Sequence, residues 1–182
     1  MNRKTLLEEL SLYKTDFEEE SAYIPRFKLL LGEELCFSRE LTTGHFTASA
    51  WILNQHKDAV LMMHHKKLNR WLQPGGHADN NEDLVKIATK EAREETGLLD
   101  LKRSNDQIFD LDIHLIPERK HIPEHYHYDV RFLFMADENE PIVQNHESNE
   151  VKWVKLVDLE SLVDFEQSII RMKHKIKLTF DH

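Results

Sequence analysis

The stretch "TKEAREETGLL" at 89–99 closes a helical pattern with Glu91, Glu94 and Glu95 just ahead of Gly97. A helix C-terminus carries partial negative charge and favours Lys or Arg, so three carboxylates there run against the macrodipole and call for a chemical reason. Glutamate is also a good helix former, and a solvated acidic face is the ordinary alternative. The helical wheel separates the two. At about 100° per residue, with Glu91 at zero, Glu94 falls at about −60° and Glu95 at about +40°, inside the arc of Leu84, Ile87, Ala88 and Ala92. Lys86, Thr89, Lys90 and Arg93 take the opposite side, so the spacing aims the acidic face at the protein body. Two carboxylates about 5.5 Å apart repel by about 3 kcal/mol at an effective dielectric of about 20, so a cation belongs among them. Carboxylate oxygens with open positions for water and phosphate suit Mg²⁺ or Mn²⁺ better than zinc.

Other elements must hold that helix in place. Upstream, "WLQPGGHADNNE" puts a Pro-Gly-Gly turn between a strand and the helix, and Gly75, Gly76 and Gly97, three of the chain's five glycines, bracket it. Glycine at such points permits positive φ and lets backbone approach a ligand closely. Alternating and β-branched runs predict strands at 45–53, 59–65, 70–74, 109–116, 125–136 and 151–156. Helical spacing predicts two helices within 4–35 separated by a break near Pro25, a third over 83–96, and a fourth over 159–177, where Leu162, Phe165, Ile169 and Met172 recur. The layout is mixed α/β with helices packed on sheet. Thr42 to Gly44 forms the join between a short helical N-terminal extension, 1–42, and the main domain, 43–182.

From Gly76 to Leu98 the sequence resembles the Nudix box, G-x5-E-x7-R-E-U-x-E-E-x-G-U with U apolar. It reads Gly76, Glu82, Lys90, Glu91, Ala92, Glu94, Glu95, Gly97 and Leu98, so eight of the nine fixed positions match at the correct spacing. The resemblance implies a Nudix α/β/α sandwich with a mixed sheet, and a hydrolase cleaving a diphosphate linkage. Its substrates would be nucleoside diphosphate conjugates, ADP-ribose-like compounds and nucleotide sugars first, nucleoside triphosphates and capped RNA ends behind. It implies Mg²⁺ or Mn²⁺ held by Glu91, Glu94 and Glu95 with the Gly76 carbonyl, catalysis involving Glu94 and Glu95, and support of the box by Glu82, Lys90 and Gly97. Lys90 departs from the family's Arg, keeping the charge but losing the planar fork that grips a carboxylate with two parallel hydrogen bonds. Compensated drift is the favoured account, because every presumed metal-binding carboxylate is present. A noncatalytic nucleotide-sensing Nudix module is the second reading. An isopentenyl-diphosphate-isomerase-like enzyme is the third and weakest, since those use an active-site cysteine and Cys36 lies outside the expected core.

Beyond the box, Glu147 and Glu150 fall in an expected loop before a strand, where many Nudix enzymes carry a further glutamate as base or metal ligand; a solvated acidic loop is the plain alternative. In "EHYHYDVRFLF", alternation sends His125, His127, Asp129 and Arg131 to one face and Tyr126, Tyr128, Val130, Phe132 and Phe134 to the other. His127, Asp129 and Arg131 are expected to line the substrate pocket, but as metal ligands they lack a third partner at a fixed offset. Lys66, Lys67 and Arg70 sit just ahead of the box, where phosphates would lie, or else form a basic hairpin turn. A net charge of −9 argues against broad nucleic-acid binding, no apolar run is long enough to span a membrane, and a single cysteine excludes an internal disulfide. A cytoplasmic setting is the resulting expectation, and the Nudix resemblance implies a small-molecule nucleotide partner and allows a homodimer.

Overall fold

Asn2 and Thr5 open the first helix with a reciprocal pair of bonds: the Thr5 amide donates to Asn2 Oδ1 (3.0 Å) and the Asn2 amide donates to Thr5 Oγ1 (2.8 Å). The computed structural model describes residues 1–119 and 122–180. In chain order its elements are α1 (Arg3–Leu12), α2 (Glu18–Leu31), β1 (Gly44–Asn54), β2 (Ala59–His65), β3 (Arg70–Leu72), β4 (Gly75–His77), α3 (Leu84–Thr96), β5 (Lys102–Arg103), β6 (Asp110–Ile116), β7 (His125–Ala136), β8 (Ser148–Lys155), α4 (Leu159–Leu162) and α5 (Gln167–Phe180). They form two units. One comprises Met1–Ser49, Gly75–Lys90 and Asp106–Phe132, the other Ala50–Pro74, Glu91–Asn105 and Leu133–His182.

In the first unit, the helical break expected near Pro25 lies instead between α1 and α2, and Pro25 sits inside α2. Proline removes one intrahelical donor and costs about 3 kcal/mol in a helix interior. Buried residues on both sides of it, Glu20 before and Phe27, Leu30 and Leu31 after, hold α2 through the proline by tertiary packing. Phe27 lies 6.0 Å from Phe46 and edge-on to Tyr128 at 5.4 Å, so the N-terminal helices share the core of this unit. Glu20 is fully buried and accepts hydrogen bonds from the Tyr13 and Thr15 hydroxyls and from the Leu111 amide (2.9 Å), which fastens α2 to β6.

Gly75 and Gly76 of the expected Pro-Gly-Gly turn lie with His77 in strand β4, paired antiparallel with β1 through Thr47↔His77, Ala48↔Gly76 and Ser49↔Gly75. A Cβ on Gly75 would stand 2.4 Å from Ser49 Cβ, so the absence of a side chain is what allows the two strands to meet. β6 and β7 pair antiparallel from Asp110↔Arg131 to Ile116↔His125.

The second unit is built on β2, which pairs with β8 from Ala59↔Lys155 to His65↔Ser148 and with β3 at Met63↔Leu72. β8 begins at Ser148, earlier than expected, so Glu150 lies in the strand opposite His64 and only Glu147 precedes it. The short strand β5, absent from the sequence reading, pairs with the end of β7. The single helix expected over 159–177 is divided into α4 and α5, because Asp164 and Phe165 adopt φ of 50° and 58°, left-handed values that stop a right-handed helix. Ile169, Met172 and Ile176 form the buried stripe of α5. Among the described residues no helix is long and apolar enough to cross a membrane.

The buried carboxylate of Glu20 yields a stability prediction. Glu20→Ala removes the carboxylate that accepts from the Leu111 amide and from the Tyr13 and Thr15 hydroxyls and should cost about 3 kcal/mol. Urea unfolding of this variant beside Glu18→Ala, in the exposed first turn of the same helix, measures it; equal stabilities would refute the fastening role.

Candidate functional site

Helix α3 carries the glutamates, and its packing sorts them. Glu95 is 6% exposed, Glu91 is half-buried and Glu94 is exposed. The acidic face expected to point inward is thus graded, with Glu94 reaching solvent. One helix therefore offers oxygen-only donors beside open solvent, which is the donor set of a hard divalent cation with positions left for water and substrate. Gly97 ends the helix at φ 77°, its amide donating to the Arg93 carbonyl (2.9 Å), and a Cβ there would stand 2.6 Å from Val143 Cβ. The Val143 amide in turn donates to the Thr96 carbonyl (2.8 Å).

Glu82 accepts from the Arg3 amide (3.0 Å) and Nε (3.4 Å), so this box residue ties down the start of α1. The rest of the Arg3 guanidinium donates to the carbonyls of Leu31, Glu33 and Glu34 at 2.9–3.0 Å, closing the end of α2. Lys90 is exposed on α3. Gly76 lies in β4 opposite Ala48.

The basic turn has local employment. Lys66 donates through its amide to the Glu147 carbonyl (2.8 Å) and through Nζ to the His146 carbonyl (3.3 Å), so it braces the segment carrying Glu147. Arg70 pairs with Glu166 at 2.9 Å, and Lys67 is exposed. Glu147 is half-buried, while Glu150 is exposed and pairs with Lys152 at 3.0 Å.

In the first unit, alternation along β7 brings His125, His127, Asp129 and Arg131 to one face, and the structure engages them with each other. Arg131, 3% exposed, donates to Asp129 (2.9 Å), Asp110 (3.2 Å) and Asp112 (3.0 Å). Thr47 and Ser49 of β1 complete Asp129 with hydroxyl bonds of 3.0 and 2.7 Å. Asp129 and Arg131 are therefore buried parts of a polar network.

His127 stands in a different group. Its Nε2 lies 3.2 Å from His77 Nε2 and 3.3 Å from His125 Nε2. Its ring centre is 5.1 Å from that of His45 and 5.3 Å from that of His114, whose Nδ1 faces Asp112 at 3.2 Å. Among the described residues, His45, His77 and His127 are the group of potential ligands whose nitrogens or oxygens all come within 4.8 Å of one another; the box glutamates do not form such a group. Burial and the neighbouring rings hold these histidines neutral: His77 is depressed to about 4, chiefly by desolvation and then by the Arg39 charge, and His127 and His45 are pushed down mainly by burial. Sequence reasoning missed His45 and His77 because no fixed offset links them to His127. The signal available was "GGH" and "GHF", each a histidine beside a strand-forming glycine.

The NUDIX domain model matches residues 43–174. No curated protein matches the sequence. Among solved structures the chain is similar to a Caenorhabditis elegans Ap4A hydrolase (TM-score 0.58, 18% identity, 75% of this chain and 97% of that one). It is also similar to the MutT protein from Methanosarcina mazei Go1 (0.59, 16%, 78% and 99%). A NUDIX-family hydrolase from Clostridium perfringens follows (0.53, 25%, 74% and 97%). These likenesses carry the fold, the α/β sandwich that the box resemblance implies, and the match over residues 43–174 shows that the chain belongs to the NUDIX family of pyrophosphohydrolases.

Proposed function

We propose that this protein is a divalent-metal-dependent hydrolase that cleaves the diphosphate linkage of a nucleoside diphosphate conjugate, an ADP-ribose-like compound or nucleotide sugar. The observation that carries the reading is the set of three glutamates at box spacing on α3, with Glu94 reaching solvent beside a buried Glu95. Similarity to an Ap4A hydrolase, a nucleotide-directed enzyme by its name, supports the choice of a nucleotide substrate.

Glu91, Glu94 and Glu95 would hold Mg²⁺ or Mn²⁺. The ion, when bound, polarises a phosphoryl oxygen and makes water easier to deprotonate. Glu94 has the solvent access that a residue meeting substrate and water requires. Glu95 is the more firmly packed ligand. Glu147 is the candidate for accepting the water's proton, since its backbone is held while its side chain remains half-exposed; Glu150, paired with Lys152, is the alternative. Lys67, exposed on the turn, has the charge to meet substrate phosphate, with Lys66 and Arg70 behind it because each already serves a contact. Residues 1–42 form an extension and 43–182 the hydrolase domain.

A noncatalytic module is the second reading, favoured only by Lys90 in place of the family's Arg. Product release from a panel of dinucleotides, ADP-ribose and nucleotide sugars, with Mg²⁺ or Mn²⁺ present, separates the readings; no turnover of any compound together with measurable nucleotide binding would favour the module.

The carboxylate roles are tested by Glu94→Gln and Glu95→Gln, which remove charge at constant volume. Each should lower kcat by roughly a hundredfold or more, about 2.7 kcal/mol of barrier, with thermal unfolding unchanged. Near-parental rates in both variants would refute the assignment. Chelation should stop turnover and Mg²⁺ or Mn²⁺ restore it.

Lys90→Arg restores the planar fork of the family residue. A rise in turnover or in Mg²⁺ affinity, read by kinetics across a metal titration, is expected if lysine leaves a glutamate loosely held, whereas no change supports compensation elsewhere. A large fall would place Lys90 on the substrate.

A further inference from the structure

The box has an oxygen-only donor set, yet the densest convergence of ligand atoms among the described residues is made of nitrogen. Three strands of the first unit supply it: β1 through His45, β4 through His77 and β7 through His127. Register explains the meeting. His77 pairs with Thr47, and His45 shares the face of Thr47 two residues away, while His127 shares the face of Asp129, which Thr47 grips.

The ring nitrogens are placed and prepared as ligands. In a tetrahedral zinc site with Zn–N bonds of about 2.0–2.1 Å, neighbouring nitrogens stand roughly 3.3–3.4 Å apart. His77 Nε2 and His127 Nε2 stand 3.2 Å apart, and His125 Nε2 stands 3.3 Å from His127 Nε2. His125 Nδ1 faces the Pro123 carbonyl at 2.9 Å and His45 Nδ1 faces the Leu41 carbonyl at 3.5 Å, contacts that suit a proton on Nδ1, the tautomer in which each Nε2 is a bare lone pair. Backbone carbonyls behind ligating imidazoles are the usual orienting partners of metal-bound histidine.

His45 supplies the independent sign of a missing partner. The residue is 3% exposed, and its Nε2 is buried without a hydrogen-bond partner. Buried polar atoms in folded proteins are satisfied almost without exception, so an orphaned nitrogen inside a ring of histidines marks a place where something binds. The alternative is a chain of hydrogen bonds among imidazoles. That arrangement leaves His45 Nε2 unserved and presses three Nε2 atoms together around His127, where each neutral ring has at most one proton to offer.

The geometry points to a second metal site in this protein, formed by His45, His77 and His127, that takes a transition ion of the zinc class rather than Mg²⁺. Imidazole ligands select Zn²⁺ and its neighbours in the first row, and hard Mg²⁺ prefers oxygen. The neutral state enforced by burial is the state that ligates. His125 Nε2 is the next nitrogen within reach for the fourth position. A bound ion would pin β1, β4 and β7 together at one point. It would also fix the strand residue that follows Gly76, a consequence that rests on the hydrolase reading, whereas binding itself does not.

The test uses the full-length protein, stripped of metal with a chelator, dialysed, and titrated with Zn²⁺ in the presence of excess Mg²⁺. One Zn²⁺ per chain is expected, with a rise in Tm on binding. X-ray absorption at the zinc edge should show a nitrogen shell with the multiple scattering of three or more imidazoles; a shell dominated by carboxylate oxygen would overturn the proposal and place the ion at the box. His45→Gln and His127→Gln, checked for folding by circular dichroism, should each weaken zinc binding by roughly a hundredfold, while Glu94→Gln should leave it unchanged. Unaltered affinity in both histidine variants, or no stoichiometric zinc uptake by the parent protein, would also overturn it. All of these readouts are independent of turnover, so loss of the hydrolase reading would leave the result standing.

Discussion

Asp112 and Asp129 face each other directly across the β6–β7 ladder, and Asp110 lies on the same face. Like charges opposite one another in a sheet are destabilising, and in the interior they are expensive. Arg131 makes the arrangement tenable: its fork reaches all three carboxylates, and its planar geometry can satisfy several acceptors at once in a way a lysine cannot. The remaining capacity of Asp129 is filled by Thr47 and Ser49, which binds β1 into the same network. A slip of one residue in this hairpin would turn Arg131 to the other face and strand the carboxylates, so the network selects one register. That register is also what carries His127 and His125 to their places two and four pairs beyond Asp112↔Asp129. The polar core of the first unit and the histidine group are consequences of one guanidinium.

Much of this was legible in the sequence, because local rules governed it. The box glutamates, the helix over 83–96 and the split faces of β7 follow from period 3.6 and period 2, and α3 and β7 appear close to where those periods put them. The errors cluster where tertiary contacts overrode local preference. Pro25 reads as a helix break, yet buried side chains on both sides carry α2 through it. Pro74, Gly75 and Gly76 read as a turn, yet Gly75 lets β4 close against Ser49. Leu162 to Met172 keeps helical spacing, yet Asp164 and Phe165 turn left-handed between α4 and α5. His45 and His77 carry only the faint mark of a neighbouring glycine, because a cluster gathered from three strands has no sequence period.

The N-terminal helices illustrate the same division. Short helices such as those within 4–35 are marginal alone in water, so they need a partner surface, and packing on the core is the favoured one. The answer lies in polar residues that composition would assign to solvent: Glu20, buried against the Leu111 amide, and Arg3, spread over three carbonyls and Glu82. A buried carboxylate with three donors is a more exacting fastener than an apolar contact, because it tolerates neither displacement nor substitution. The extension is therefore keyed to one position on its unit.

The Gly97–Val143 contact sets how much freedom the second glutamate segment has. Val143 occupies the space that a side chain at residue 97 would fill, and its amide is held by Thr96 at the end of α3. Four residues on, the Glu147 carbonyl is held by the Lys66 amide, and the Glu147 amide by Asn145 Oδ1. Gln144, Asn145 and His146 are all that separates the two anchors, so this stretch has no slack with which to swing. Whatever adjustment Glu147 makes toward a ligand must come from torsion about its own side-chain bonds, with the backbone acting as a fixed pivot. Such a carboxylate responds on the nanosecond scale of rotamer exchange rather than the slower scale of loop rearrangement.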